Sequence, residues 1–420
     1  MFCGNCFRDN ALVHALRQLS HSVLMVPLYL PMTLDEQDES AGTPIFFGGV
    51  NVYLQQKSSV FRHMPRPVHQ WLSSPSVLKW ASGRAAKTRA EDVGELTLSM
   101  MRGEEGQQAR ELDQLIEWLT GQKHPDVVCL SNGLLIGLVR RLKEDLKTRV
   151  VCMLQGEDFF LDSLPPKIRE DAWALLTERG QEVDLFIAPS NYYAKTMQRR
   201  MAIPDEKMSV VYNGINLEGF GPPLTRPTPP VIGYFARMCR EKGLDTLVDA
   251  YLRLRRRNRV PATRLKIGGG CGPADEPFVA ELQAKLEAEG LINDVEFRPN
   301  LSRQGKASFL QSLSVFSVPA LYGEAFGLYL VEAWASGIPV VQPRHAAFPE
   351  LLELSGGGVL CEPGNPDALA NSLEELLLDP ETAAALGTAG HLAAANEFSM
   401  HRMAERVLQV YCRSLPAKAR

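Results

Sequence analysis

The 420-residue sequence contains no run of 18 or more apolar residues, so it holds no stretch able to cross a bilayer as a helix. Its opening residues do not read as a secretion signal. Together these absences predict a soluble, cytoplasmic protein. There is no basic excess either: 45 Lys and Arg stand against 49 Asp and Glu, for a net charge of -4 and a pI near 6.1. A dedicated nucleic-acid-binding chain is normally basic, and that class is set aside. No compact cluster of His, Asp and Glu stands at metal-ligand spacing, so no metal or other cofactor is expected. The 8 cysteines are scattered. Cys3 and Cys6 form a lone C-x-x-C with no second ligand pair and no strand before it, which points to reduced thiols rather than a zinc or redox centre.

One further shortage is local. From Lys57 to Arg89 there is no Asp or Glu, while Lys57, Arg62, Arg66, Lys79, Arg84, Lys87 and Arg89 are interleaved with Phe61, Trp71 and Trp80. Pro65, Pro67 and Pro75 exclude a single helix. The segment reads first as a solvated insertion whose aromatics pack on a sheet. It is also a candidate for peripheral contact, through 57–89, with a charged membrane surface or an anionic acceptor.

What is present is ample apolar residue, 45% of the chain, and enough length for two to three domains. Gly4 stands in a glycine turn followed by a helical pattern (Ala11, Leu12, Leu16, Leu19) and a strand-like Val23–Leu28, the ligand-binding end of a Rossmann-type unit. The strand that should precede such a turn has no room in the residues before Cys3. Residues 91–119 read as amphipathic helix. Strands are then predicted at 125–130, 150–154, 185–190 and 208–215, with helices at 134–146 and 191–201 between them. Such alternation predicts a parallel sheet covered on both faces. Gln155-Gly156-Glu157-Asp158 lies at a strand's carboxyl end, where ligands bind. Gln155 can donate a hydrogen bond but moves no proton near neutral pH, so proton transfer would fall to Glu157, Asp158 or a leaving phosphate. A Pro-rich stretch, 219–230, reads as a linker.

Beyond it, Val231–Ala236 reads as a strand, Arg237–Gly243 as a turn and Leu244–Arg257 as a helix. Arg237 and Lys242 therefore sit beside a helix N-terminus, where a diphosphate would be held. Leu265–Ile267 runs into Gly268, Gly269 and Gly270, a strand end that something approaches closely. The chain centres on Gly323–Val341, where a strand at 315–320 is followed by a Gly-containing turn and a helix from Leu328 to Ser336, ended by Gly337 and Pro339. That helix is apolar nearly all round, yet Glu332 sits in its middle and needs a partner. A ligand hydroxyl pair is one such partner; a buried network within the protein is another. The backbone N–H groups of Phe326, Gly327 and Leu328 suit phosphate oxygens, and Glu324 stands at the mouth. A nucleotide-diphosphate-sugar has the matching order of ribose, diphosphate and hexose.

Glu324 and Glu332, with seven residues between them, followed by Ala333-Trp334-Ala335-Ser336-Gly337-Ile338-Pro339-Val340-Val341, resemble the E-x7-E signature of retaining GT-B glycosyltransferases of the family-four type. That resemblance implies an α/β fold of two Rossmann-like domains facing a cleft: 1–218 for the acceptor, its first strand missing; 231–397 for the donor; and 398–420 as a helix crossing back. It implies a metal-independent hexosyltransferase working with retention on a nucleotide-sugar donor and a glycan, lipid or small-molecule acceptor. Arg237 and Lys242 resemble the family's phosphate clamp; Glu324 would orient the hexose and Glu332 the ribose, with Phe326, Gly327, Leu328, Gly268, Gly269 and Gly4 lining the donor. Gln155 stands where many members carry a His. Residues 44–54 look like a glycine-led strand of starch- and glycogen-synthase-like N-domains, and Ala346 and Ala347 stand where relatives often have glycines. The rival expectations are a nucleotide-sugar 2-epimerase on the same scaffold and a non-catalytic nucleotide-sugar-binding module.

Overall fold

The computed structural model describes residues 4–28, 36–47 and 90–415. Cys3, the basic segment 57–89 and most of the expected strand 44–54 lie outside the described residues. The chain divides into two compact units, one made of Leu12–Val211 with Ala404–Arg420 and the other of Met1–Ala11 with Tyr212–Met403. These bounds differ from the expected domain ends at 218 and 397, and the start of the first helix, Gly4–Gln18, goes with the second unit.

In the first unit, strands β1 (Val127–Leu130), β2 (Arg149–Met153), β3 (Leu185–Ala188) and β4 (Met208–Val210) form one parallel sheet in sequential order. Val150, Val151, Cys152, Met153 and Leu154 are all buried, as expected of a strand covered on both faces. The crossovers are helices Val139–Leu146, Pro166–Gly180 and Asn191–Met201, the last capped by Ser190, whose hydroxyl accepts from the Tyr193 N–H at 3.0 Å. Two expectations are corrected here. The stretch 91–119 is two helices, Ala90–Met101 and Ala109–Thr120, because Gly103 and Gly106 interrupt the pattern. Val23–Leu28 is not a strand: Pro27 lacks a ladder N–H, and the run is held by such contacts as the Phe47 N–H on the Leu28 carbonyl, 2.8 Å.

The second unit carries a parallel sheet of β5 (Val231–Phe235), β6 (Arg264–Gly269), β7 (Val295–Pro299), β8 (Val315–Phe316), β9 (Val340–Pro343) and β10 (Gly358–Cys361), in the order β10-β9-β8-β5-β6-β7. The chain builds outward from β5 through β6 to β7, then returns to the other side of β5 and builds outward again. Between β5 and β8 the direction reverses, and the loops leaving these two strands diverge around the crevice where open α/β sheets bind ligands. β8 is shorter than expected, since Ser317–Ala320 leaves the ladder to enter that loop. Among the described residues no helix is long and apolar enough to cross a membrane. The last helix, Met400–Ser414, begins in one unit and ends in the other.

Candidate functional site

The loops at the switch point are bonded to each other. After β5 the chain makes a turn through Arg240–Lys242 into helix Leu244–Arg257, and the Leu321 N–H from the β8 loop donates to the Glu241 carbonyl at 2.9 Å. Gly243, at φ +70°, joins the turn to the helix; a Cβ there would lie 1.9 Å from the Pro319 carbonyl oxygen, so only glycine lets the loops meet.

This junction brings Lys242 to Glu324. The ammonium donates to Glu324 Oε2 at 2.5 Å, and the hydroxyls of Tyr322 and Tyr329 donate to the same oxygen at 2.9 and 3.0 Å. Lys242 also donates to the Tyr322 hydroxyl and lies 4.8 and 5.3 Å from the centres of the two phenol rings. Burial pushes the Glu324 carboxyl up, but the Lys242 charge and the three donors outweigh it and hold it below its ordinary value. Burial and the adjacent Glu324 charge push both phenols up, so they remain donors. The loop backbone is held as well, by the Ala347 N–H on the Glu324 carbonyl at 3.3 Å and by the His345 ring against the Ala320 carbonyl at 2.8 Å.

Arg237 follows β5 directly. Its guanidinium forks onto Asp275, with bonds of 2.9 to 3.1 Å that raise its pKa. The Arg237 side chain is 62% exposed against 9% for Asp275, so the acid anchors the cation while leaving it open to solvent. Glu332, on helix Leu328–Ala335, is paired with Lys306 of helix Arg303–Gln311. The partner that Glu332 demanded is thus a protein cation.

The remaining expected residues have mixed fates. Gly327, at φ +92°, is the N-cap of the Glu332 helix, and Leu328 opens it. The Phe326 ring packs in the core against Phe398 and Tyr212, which leaves its backbone alone to face a ligand. Gly268 lies under the Phe235 ring and Gly269 turns against Ala236, so their smallness serves β5–β6 packing. Gly4 was expected in the acceptor domain; it lies instead against Leu328, whose Cδ1 would be 3.7 Å from an added Cβ.

In the first unit Gln155 follows β2, and its backbone N–H donates to Glu157 Oε2 at 2.7 Å. Glu157 also accepts from the Gly133 N–H at 2.7 Å and the Tyr193 hydroxyl at 2.9 Å, and burial raises its pKa. Each oxygen is engaged from within, and Glu157 ties the β1 and β2 loops together. Among the described residues no group of three His, Cys, Asp or Glu could hold a metal.

The sequence reading missed Tyr322, Tyr329, Lys306 and Asp275. Tyr329 lay within the central stretch and Tyr322 just before it, as polar-tipped aromatics near Glu324, which was their only signal. Lys306 and Asp275 gave none, since their partners stand 26 and 38 residues away.

Two family models match the chain: "Glycosyltransferase Family 4" over residues 47–218 and "Glycosyl transferases group 1" over residues 220–392. Among curated relatives, a D-inositol 3-phosphate glycosyltransferase of Nocardiopsis dassonvillei is 28% identical over 55% of this chain and 56% of its own. A GDP-mannose-dependent alpha-(1-6)-phosphatidylinositol monomannoside mannosyltransferase of Mycolicibacterium smegmatis is 32% identical over 38% of this chain and 42% of its own. The chain thus spans about half the length of the curated relatives it matches. Among solved structures, Anabaena HepE in complex with UDP shares the fold over 93% of this chain and all of its own, at TM-score 0.63 and 17% identity. Sucrose-phosphate synthase from Thermosynechococcus elongatus does so over 72% and 78%, at TM-score 0.61 and 22% identity. With both units matched and their parallel sheets in place, the chain belongs to the family-four glycosyltransferases of the GT-B fold.

Proposed function

We propose that this chain transfers a hexose from a nucleotide-diphosphate-sugar to a glycan, lipid or small-molecule acceptor with retention of configuration. The observation that carries it is the Lys242–Glu324 contact across the switch point, with Arg237 exposed at the end of the same strand. In the reaction the bond between the anomeric carbon and the diphosphate oxygen breaks, charge grows on that oxygen, and the sugar passes through an oxocarbenium-like state. Lys242, Arg237 and the N–H groups of Phe326, Gly327 and Leu328 meet that charge with groups already oriented. Glu324 accepts from hexose hydroxyls, and Glu332 shares its carboxylate between Lys306 and the ribose. The acceptor proton passes to the departing diphosphate. Side-chain cations meet the diphosphate, so no divalent ion is required. The neighbour in complex with UDP and the relative named for GDP-mannose support a nucleotide-sugar donor and leave its base and sugar open; the relative named for inositol 3-phosphate supports a small-molecule acceptor. We further propose a cytoplasmic location with the acid-free segment 57–89 resting on an anionic membrane; salt-sensitive sedimentation with phosphatidylglycerol vesicles tests it.

The function is tested by a thermal-shift screen against nucleotide-sugars, with UDP-glucose and GDP-mannose included, followed by product analysis. Transfer to an acceptor supports the reading. Conversion of the donor alone identifies an epimerase, and binding without turnover a binding module.

A further inference from the structure

We propose that Tyr322 and Tyr329 are positioning residues for Glu324: together with Lys242 they occupy Oε2, and so single out Oε1 as the oxygen offered to the transferred sugar. The proposal rests on the sugar-transfer reading above, in which Glu324 faces the hexose.

A carboxylate's two oxygens are chemically equal, and nothing in an E-x7-E spacing distinguishes them. Here the distinction is built from three elements. Lys242 comes from the turn after β5, Tyr322 from the loop after β8, and Tyr329 from the first turn of the Glu332 helix. All three donors converge on Oε2. Oε1 receives no bond from any described residue and is not among the buried oxygens left without a partner, so it remains open to a ligand.

The phenols are themselves braced. Tyr322 receives from Lys242 while giving to Glu324, and the Glu324 N–H donates to the Tyr322 carbonyl at 2.9 Å, which folds the loop back on itself. The Tyr329 ring packs at 6.3 Å from the Phe316 ring of β8. Packing alone would be met by phenylalanine at both positions; the hydroxyls serve the cluster around Oε2, that of Tyr322 by accepting from Lys242 as well as donating to Glu324. Holding that oxygen fixes the carboxylate plane, so that Oε1 meets a sugar hydroxyl without reorganising as the glycosidic bond lengthens.

The test uses Tyr322→Phe, Tyr329→Phe and the double variant, each checked for an unchanged melting profile. In protein carrying 13C-labelled glutamate, with the Glu324 signal assigned through Glu324→Gln, each loss of a hydroxyl is expected to move the Glu324 titration midpoint upward, most in the double variant. With the best donor from the screen, kcat is expected to fall about tenfold per hydroxyl while donor KM and UDP affinity hold, the mark of lost orientation rather than lost binding. An unmoved midpoint in the double variant, or an unchanged kcat, overturns the positioning role. A wild-type chain that turns over no nucleotide-sugar overturns the sugar-transfer reading beneath it, and the titration, which needs no ligand, shows which of the two has failed.

Discussion

Lys306 of helix Arg303–Gln311 and Glu332 of helix Leu328–Ala335 form an ion pair, with the rings of Phe7, Phe220 and Phe235 centred 6.0, 5.9 and 5.9 Å from the ammonium. Three aromatic faces disfavour water around Nζ and favour the cation. The pair keeps both charges satisfied in a site that is only part-exposed.

Removing one partner should therefore cost more than removing both. Lys306→Met is expected to lower stability by about 2 kcal/mol, since it leaves a half-buried carboxylate unpaired. Adding Glu332→Leu should recover most of that loss in urea denaturation. Nucleotide affinity should fall only in variants lacking Glu332; an equal fall in Lys306→Met would assign the ribose contact to the lysine.

Lys242 is held on Glu324, so its ammonium is already in place beside the end of β5. Lys242→Ala is expected to reduce kcat about 100-fold with a smaller effect on donor affinity, because the charge it meets grows mainly in the transition state. Initial rates in EDTA should equal those in magnesium; a rate restored only by added metal would contradict a purely side-chain clamp.

Glu157 and Glu324 should respond oppositely to pH. Folding raises the Glu157 pKa, so the stability it contributes is full below the ordinary carboxylate value and declines as pH rises through the folded one. Folding lowers that of Glu324, whose contribution is present above the ordinary value and is lost as pH falls through the folded one. Tyr193→Phe deletes a hydroxyl that favours ionised Glu157. Its urea midpoint should lie below wild type at pH 7, and the gap should narrow toward pH 4.

Gln342, on β9, is fully buried, and neither its amide oxygen nor its nitrogen has a partner among the described residues. Gln342→Met keeps the volume and removes both unmatched groups, for an expected gain of about 1 kcal/mol, read as a higher melting temperature. A loss instead would show that the amide makes a bond the fold depends on.

Much of the second unit was legible because its signals are local. The apolar run Val231–Phe235, the glycine that ends its turn and the Gly337-Pro339 stop each declare themselves within a few residues. The family phrase, the spacing together with the Phe326-Gly327 inside it and the Gly337–Val341 run after it, singled out Glu324 and Glu332. Val23–Leu28 misled because an apolar run shows β propensity but not whether its own backbone enters a ladder.

By itself, then, the sequence determined two α/β halves, their parallel strands and the family, since periodicity, turn residues and a contiguous motif act over short distances. Only the tertiary structure decided who holds whom: Lys242 on Glu324 across 82 residues, Arg237 on Asp275 across 38, and Lys306 on Glu332 across 26. The reason is physical. Lys242 meets Glu324 because β8 returns to one side of β5, and Arg237 meets Asp275 because β6 pairs on the other side, pairings between distant segments that no local pattern encodes.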